Sequence, residues 1–344
     1  MKKIALSKLN ELFAAIAKDT ELHLPVNFKG ETVFKKWTEG DNYAKDSLKT
    51  VKSPKDLFFP QNENISNFRK EGNKFIIDPV ELPKSGIVVF GVRGCDEQSF
   101  RVLDNVFLAE PVDTFYEARR KDSVIITAAC TKPSESCFCK TFGIDPTDPA
   151  GDVTTWIVDD NMFFAAKTEK GEAFLAKYAD IFTEAEEDDT YRVENVKYLA
   201  NQIFAKLPLA DLTTEGWGGD KTEEKFDDPK WQDLSTACLG CGTCTFVCPT
   251  CQCYDIRDYN TGNQIQRSRC WDSCMYKDFT MCAHGTARPT QKERYRQRFM
   301  HKLVYYPANN DGMFSCVGCG RCVDKCPVQT NIVKVIKAFG GDKK

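Results

Sequence analysis

Apolar residues recur with two different periods along the first part of the chain, and these periods predict a mixed α and β region. The start, MKKIALSKLNELFAAIAK, has helical spacing and predicts an N-terminal amphipathic helix. The apolar runs GIVVFGV and SVIITAAC are typical of strands buried on both faces. Between them Phe100, Val102, Leu103 and Val106 recur at helical spacing, and Asp96 stands where an N-cap belongs. The pattern predicts a strand, a helix and a second strand.

The same alternation continues to a stretch that is typical of a linker. VTTWIVDD and MFFAAKT predict further strands, and GEAFLAKYADIF and RVENVKYLANQIFAKLP predict helices. The acidic run EAEEDDT predicts only a solvated face. LTTEGWGGDKTEEKFDDPKW then mixes glycine, proline and charge. We therefore predict a mixed α/β domain at 1–210, a linker at 211–230 and a second domain at 231–344.

The composition indicates the cellular compartment of the protein and excludes some classes of partner. Hydrophobic residues make up 42% of the 344 residues and the formal net charge is −3, which is ordinary for a folded protein and gives no overall attraction to nucleic acid. No apolar run is long enough to predict a membrane span, and charges interrupt the N-terminal segment as they would not in a secretory signal. Seventeen cysteines with only three histidines indicate a reducing cytoplasm and all-thiolate sites.

The strongest chemical signal is a four-cysteine run that occurs twice, as CLGCGTCTFVCP and CVGCGRCVDKCP. Two-residue gaps let one tight turn present three thiolates to a cubane, and in two-cluster ferredoxins the fourth cysteine of each run binds the other cluster. Paired zinc sites are the alternative, but zinc ribbons use two separated C-x2-C pairs. We therefore predict a helical, ferredoxin-like domain with two [4Fe-4S] clusters. Their ligands would be Cys238, Cys241, Cys244 and Cys326 for the first cluster and Cys316, Cys319, Cys322 and Cys248 for the second.

Four more cysteines follow the predicted strands of the first domain. They are Cys95, Cys130, Cys137 and Cys139. Parallel strands bring their carboxyl ends to one edge of a sheet, so these thiols are expected to converge there. A third [4Fe-4S] cluster accounts for the number of thiols, with a zinc site or unrelated core and loop cysteines as the alternatives.

A long insertion, residues 249–315, separates the two runs and carries five further cysteines. They are Cys251, Cys253, Cys270, Cys274 and Cys282. Such thiols could bind another cluster, form a reactive redox pair or pack as small apolar side chains, and we favour packing and support of the neighbouring sites.

The insertion also contains KERYRQRFMHK, which predicts a helix with a basic face. Its cationic residues are Arg294, Arg296, Arg298, His301 and Lys302. A face of this kind is either solvated surface, a surface that attracts an acidic partner, or a source of positive charge for a cluster, and the sequence does not separate these roles.

Several strings taken together resemble one known family over nearly the whole chain. They are LFFPQNE, VRGCDEQSFRVLD, FYEARRK, the loop ending in CFC, CPTCQCYDI, CWDSC, RYRQRFMHK and CVGCGRCVDKCP. The family comprises the beta subunits of cytoplasmic sulfhydrogenase-type [NiFe] hydrogenases and the corresponding iron–sulfur subunits of anaerobic sulfite reductases. Cys270 and Cys282 lie outside its pattern and are given no role.

The resemblance implies a relay of single electrons between a flavin subunit that binds NAD(P)H and a catalytic redox subunit such as that of a hydrogenase or sulfite reductase. FAD is expected on the partner, because no G-x-G-x-x-G follows a strand here. One alternative is a stand-alone reductase of a sulfur compound that uses an insertion thiol or cluster. Another is a zinc-stabilised scaffold or nucleic-acid-binding module. We expect no nucleic-acid partner and no catalytic residues in this chain.

Overall fold

The computed structural model of the protein describes residues 1–262 and 264–340. Its strands are β1 (Lys2–Ala5), β2 (Leu22–Phe28), β3 (Glu31–Lys36), β4 (Asn62–Glu71), β5 (Lys74–Asp78), β6 (Val88–Val92), β7 (Val124–Ala128), β8 (Val153–Val158), β9 (Asn161–Ala166), β10 (Thr183–Glu184), β11 (Tyr254–Asn260), β12 (Gln264–Trp271), β13 (Met281–Cys282) and β14 (Gly285–Thr286). Its α-helices are α1 (Leu9–Asp19), α2 (Gly94–Phe107), α3 (Thr114–Arg120), α4 (Glu169–Lys177), α5 (Glu187–Phe204), α6 (Thr222–Phe226), α7 (Lys230–Thr236), α8 (Thr243–Phe246), α9 (Gln291–Met300), α10 (Tyr306–Asn309), α11 (Arg321–Asp324) and α12 (Ile332–Ala338).

The N-terminal part is built around one large mixed sheet. Its strand order is β10-β1-β9-β8-β7-β6-β2-β3. The central strands β2, β6, β7 and β8 pair in parallel, whereas the pairs toward both edges are antiparallel. Strand β6 is apolar and buried along its whole length, and β7 and β8 are largely buried, because helices cover both faces of the sheet.

The two faces of this sheet have separate apolar cores. On one face Phe13 and Ile16 of α1 and Phe174 of α4 pack against alternate side chains of the strands, among them Phe90. On the other face α2 and α3 pack with the Phe58–Phe59 pair. The alternation of side chains along each strand explains why one apolar run supplies both cores.

A second, smaller sheet joins the insertion to the N-terminal part. Strands β11 and β12 of the insertion form a hairpin, and β12 pairs with β4, which pairs with β5. Trp271 at the end of β12 stacks on Phe59 at a centroid distance of 5.8 Å. The division at 211–230 stays a prediction about folding units, and the contacts show that segments on both sides of it share a sheet.

The C-terminal part is mainly helical around a third apolar core. Trp231 of α7, Tyr295 and Phe299 of α9 and Ile336 of α12 belong to it. Phe138, from the N-terminal cysteine loop, is buried in the same core. After α9 the chain continues as one π-helical turn, His301–Tyr305. No helix among the described residues has the length and apolar content needed to cross a membrane.

The predicted fold class, an α/β N-terminal region followed by a dicluster domain, is confirmed. Two local predictions are wrong. The first residues form strand β1, which pairs with β9 and β10, and the helix begins only at Leu9. Asp96 is not an N-cap, because Arg93 occupies that position and Asp96 lies inside α2. Its carboxylate is instead used in an ion pair described below.

Candidate metal centres

The two cysteine runs fold into loops of the same shape. In each run a glycine before the third cysteine adopts a left-handed conformation, with φ of 72° at Gly242 and 76° at Gly320. A side chain is disfavoured there, so glycine lets the chain turn back toward the preceding cysteines. The short helices α8 and α11 begin directly afterwards and carry the third cysteine of each run.

The first three cysteines of the first run and the last cysteine of the second run line one cavity, which we call cavity I. Its cysteines are Cys238, Cys241, Cys244 and Cys326, with Cys322 at the border. The side chains of Tyr295 and Arg298 also line it. The amide Nε2 of Gln291 donates to Cys238 Sγ over 3.4 Å. The four thiols that sequence spacing assigns to one cluster therefore face a common space.

The first three cysteines of the second run and Cys248 line a neighbouring cavity, cavity II. Its cysteines are Cys248, Cys316, Cys319 and Cys322, and it is also bordered by Arg298 and Lys302. Burial raises the pKa of Cys316 to about 12, although Lys302 and the backbone N–H of Gly318 oppose that shift. This thiol keeps its proton at neutral pH, and metal binding would release it.

The four N-terminal cysteines line a third cavity, cavity III, at the carboxyl ends of β6 and β7. They are Cys95, Cys130, Cys137 and Cys139. Cys95 lies in the first turn of α2, Cys130 follows β7, and the other two come from one loop. Ser134 Oγ lies 3.3 Å from Cys137 Sγ, and burial, followed by the charges of Cys130 and Cys137, raises the pKa of Cys139 to about 12. The parallel sheet brings together thiols that are far apart in sequence.

The three cavities form a row in which neighbours share lining residues. Cavities I and II share Cys322 and Arg298, and cavities II and III share Gly318 and Cys319. The backbone N–H of Phe138 donates to the carbonyl of Gly318 over 2.9 Å. A Cβ on Gly318 would lie 2.3 Å from the Phe138 carbonyl oxygen, so only glycine allows this approach.

A buried ion pair holds the same two segments together. Arg321 donates to both carboxylate oxygens of Asp96, over 2.6 and 2.8 Å, and each side chain is 2% exposed. Arg321 Nε also donates to the Thr50 carbonyl over 2.8 Å. Nearby, Lys49 Nζ lies 2.6 Å from Asp324 and donates to Ser136 Oγ over 2.9 Å. The N-terminal cysteine loop and the second run are therefore joined by polar as well as backbone contacts.

The donor chemistry of the three cavities fits [4Fe-4S] clusters. Each is lined by at least four cysteines, and four cysteine sulfurs are the usual ligand set of a cubane. Each is also bordered by a buried or partly buried cation that can balance a negative cluster, with Arg298 at cavities I and II, Lys302 at cavity II and Arg93 at cavity III. In residues 1–262 and 264–340, no group of three or more His, Cys, Asp or Glu side chains is arranged for a single metal ion. A cubane spreads its thiolate ligands over four irons and does not need such a group.

Three of the five insertion cysteines have a neighbouring thiol. The Cys251 thiol contacts that of Cys248, and the Cys253 thiol contacts that of Cys274. The Cys274 thiol and the nearby cations Lys302 and Arg298 lower the pKa of Cys253 to about 6. By contrast, Cys270 contacts the Asp255 carbonyl and Cys282 is exposed on a short hairpin. The insertion cysteines thus divide into three that contact another thiol, Cys251, Cys253 and Cys274, and two outlying residues.

The sequence analysis did not identify the charged residues that join the N-terminal part of the chain to the two cysteine runs. Lys55 is 2% exposed, and its Nζ donates to the carbonyls of Cys248 and Cys251 over 2.9 and 2.7 Å and lies 4.1 Å from the Trp271 ring centroid. Arg321 had one visible signal, since it replaces the threonine found at the equivalent position of the first run. No sequence signal marked the roles of Lys49, Lys55 and Asp96, because their partners lie in distant segments.

Comparison with known proteins agrees with this geometry. Residues 237–330 match the family model of the 4Fe-4S dicluster domain, which supports two [4Fe-4S] clusters. The chain is 31% identical over 329 residues to the sulfhydrogenase 2 subunit beta of Pyrococcus furiosus, and the match covers 95% of this chain and 94% of the relative. No solved structure gives a significant match. The chain therefore belongs to the family of sulfhydrogenase beta subunits, iron–sulfur proteins that serve as electron-transfer subunits of oxidoreductases.

Proposed function

We propose that this protein relays single electrons through three [4Fe-4S] clusters, between a flavin subunit that oxidises NAD(P)H and a catalytic redox subunit. The first cluster would be held by Cys238, Cys241, Cys244 and Cys326, the second by Cys316, Cys319, Cys322 and Cys248, and the third by Cys95, Cys130, Cys137 and Cys139. FAD would be bound by the partner. The cysteines used in this way need a reducing compartment, which we propose is the cytoplasm.

The observation that carries this proposal is the row of cysteine-lined cavities. Each cavity borders the next through shared lining residues, with cavity II in the middle. Electron transfer between centres requires that they lie near one another, and a row with distinct ends suits a subunit that accepts electrons at one side and delivers them at the other.

When bound, a [4Fe-4S] cluster supplies one-electron redox chemistry at a potential that its surroundings set. The chain's own residues supply the thiolates, exclude water and place positive charge nearby. Cys130, Cys139, Cys248 and Cys319 are each less than a tenth exposed. Cys241, by contrast, is exposed, so cavity I lies nearest to the surface at that point.

The partner assignment is supported by the family. The relative is by name a beta subunit, so it belongs to a protein of several subunits. Among the described residues, no Asp, Glu or His side chain lines any of the three cavities, and the side chains that could bind a metal there are thiols. A relay therefore accounts for the site better than a reaction on a bound substrate.

Assay of the purified chain alone tests this function. We expect anaerobically purified protein to accept electrons from a chemical reductant and pass them to a dye, and to fail to reduce sulfite, polysulfide or protons. Reduction of sulfite or polysulfide by the isolated chain would contradict the relay. A Cys253→Ser variant would then show whether the paired insertion thiols, Cys253 and Cys274, carry that activity.

A further inference from the structure

We infer that Arg298 is a counter-charge shared by the first and second clusters, and that it raises the reduction potential of both. The inference rests on the ligand sets proposed above for cavities I and II. It assigns a specific role to one residue of the basic helix. The other cationic residues of that helix lie in different surroundings.

Arg298 lies between the two cavities and is closed off from solvent. It is 2% exposed and lines both cavities. Its Nη2 donates to the carbonyl of Cys244 over 2.8 Å, and its Nη1 donates to Cys251 Sγ over 3.2 Å. Its Nε is buried and has no hydrogen-bond partner in the part of the chain that the structure describes. At least one N–H donor of the guanidinium, that of Nε, thus has no protein partner.

The buried positive charge of Arg298 needs a negative partner, and the neighbouring groups that could provide one are cysteine sulfurs. A buried cation is costly unless a negative group lies close by. Within the described residues no carboxylate forms an ion pair with Arg298. Burial lowers the pKa of its guanidinium, but the nearby cysteines Cys244, Cys251, Cys248 and Cys322 raise that pKa well above its usual value. Three of these four are proposed cluster ligands. The position therefore suits a cation whose partner is a negatively charged iron–sulfur centre.

A fixed positive charge stabilises whichever redox state is more negative. Reduction adds one negative charge to a cluster, so a nearby guanidinium favours the reduced form and raises the potential. The effect is strong where water is excluded, because the effective dielectric constant is lower there than in solvent. Arg298 borders two cavities and should act on two clusters.

Lys302, one helical turn further on, provides an internal contrast. It is 3% exposed, and its Nζ donates to Thr250 Oγ1 over 2.7 Å and to the Ser315 carbonyl over 3.0 Å. It lines cavity II but not cavity I. Removing the charge of Lys302 should therefore lower the reduction potential of one cluster. Removing the charge of Arg298 should lower the reduction potentials of two clusters.

The test is a redox titration of the full chain, purified anaerobically and followed by electron paramagnetic resonance, with iron measured on the same samples. Arg298→Met removes the charge, Arg298→Lys keeps it, and Lys292→Met removes a charge from the same helix at a residue that lines neither cavity. In Arg298→Met we expect the ratio of reduced to oxidised cluster at a fixed potential to fall about tenfold for two clusters, a shift of about 59 mV for a one-electron couple. The lysine variant and the Lys292 control should stay near the original potentials, and Lys302→Met should shift one cluster only.

Full iron content with unchanged potentials in Arg298→Met would overturn the inference. If that variant fails to bind iron, Lys302→Met decides the question: a shift of one signal supports the account, and no shift or an equal shift of both contradicts it. Failure of the ligand assignment would look different, since Cys326→Ser would then leave all clusters in place whatever Arg298 does.

Discussion

The two ferredoxin-type sites and the N-terminal site each gather four thiols, but the chain encodes them in different ways. In the dicluster region three cysteines of each set come from one tight loop, and a glycine with positive φ fixes the turn. In the N-terminal region the four cysteines come from the start of α2, the end of β7 and a separate loop. The first kind of site takes three of its four cysteines from one local turn and the fourth from the other run. The second depends on the register of the sheet and on contact with the second cysteine run.

The two kinds of site should respond differently to mutations elsewhere in the chain. A local loop can form its turn from its own sequence, so the three-cysteine part of such a site should tolerate changes elsewhere. Cavity III is completed by Gly318 and Cys319, which belong to the second run. We therefore expect changes at this contact to affect cavities II and III together and to spare cavity I.

The largest expected effect comes from Gly318→Ala. The added Cβ would lie 2.3 Å from the Phe138 carbonyl oxygen and 2.6 Å from the Cys139 nitrogen, both of which are backbone atoms. We expect iron to fall by about eight atoms per chain, from about twelve, because two of three clusters are lost. Iron and acid-labile sulfide in anaerobically purified protein measure this.

Gly312→Ala is the matched control for that change. Gly312 also has a positive φ, 78°, but no atom lies within 4 Å of an added Cβ. It should cost about 1 kcal/mol from backbone conformation alone and leave iron unchanged. Full iron content in Gly318→Ala would show that the close approach of the two loops is not needed for either site.

The next largest effect is expected from Asp96→Asn. This change leaves Arg321 buried without a full counter-charge, and breaking a buried pair from one side typically costs about 3–5 kcal/mol. Chemical denaturation under anaerobic conditions measures the free energy of unfolding. Asp188→Asn breaks the exposed pair with Arg192 and should cost about 1 kcal/mol or less. Equal losses in both variants would contradict a structural role for the buried pair.

The smallest effect is expected from the outlying insertion cysteines. Cys270→Ser and Cys282→Ser change thiols that line none of the three cavities. Each variant should keep its full iron content, and its stability should change by about 0.5 kcal/mol or less. A loss of iron in either variant, by the same assay, would mean that the insertion contributes a ligand.

Sequence reasoning succeeded where the information is local. The cysteine runs, the buried strands β6 and β7 and the helix after β6 all follow from spacing and from apolar periodicity. It failed where a distant partner decides the outcome. Residues 2–5 form a strand because β9 and β10 lie beside them, and Asp96 is drawn into an ion pair with Arg321.

The basic helix is another case in which contacts with distant segments limit what the sequence can predict. Its spacing predicts a cationic face, but not which cations are buried. Arg298 and Lys302 lie one turn apart and point into the cavities, whereas Arg296 contacts the Phe226 ring at 3.6 Å. Only the packing of α9 against the two cysteine loops separates these residues, and no local pattern records that packing.

The most direct test of the three-cluster account is an iron and acid-labile sulfide count on anaerobically purified wild type and on the double variant Cys137→Ser, Cys139→Ser. The account predicts about twelve iron atoms per chain in the first and about eight in the second. The double variant Cys270→Ser, Cys282→Ser should match the wild type. About eight iron atoms in both the wild type and the Cys137/Cys139 variant would contradict a cluster at cavity III, and about sixteen in the wild type would add a fourth site among the insertion thiols.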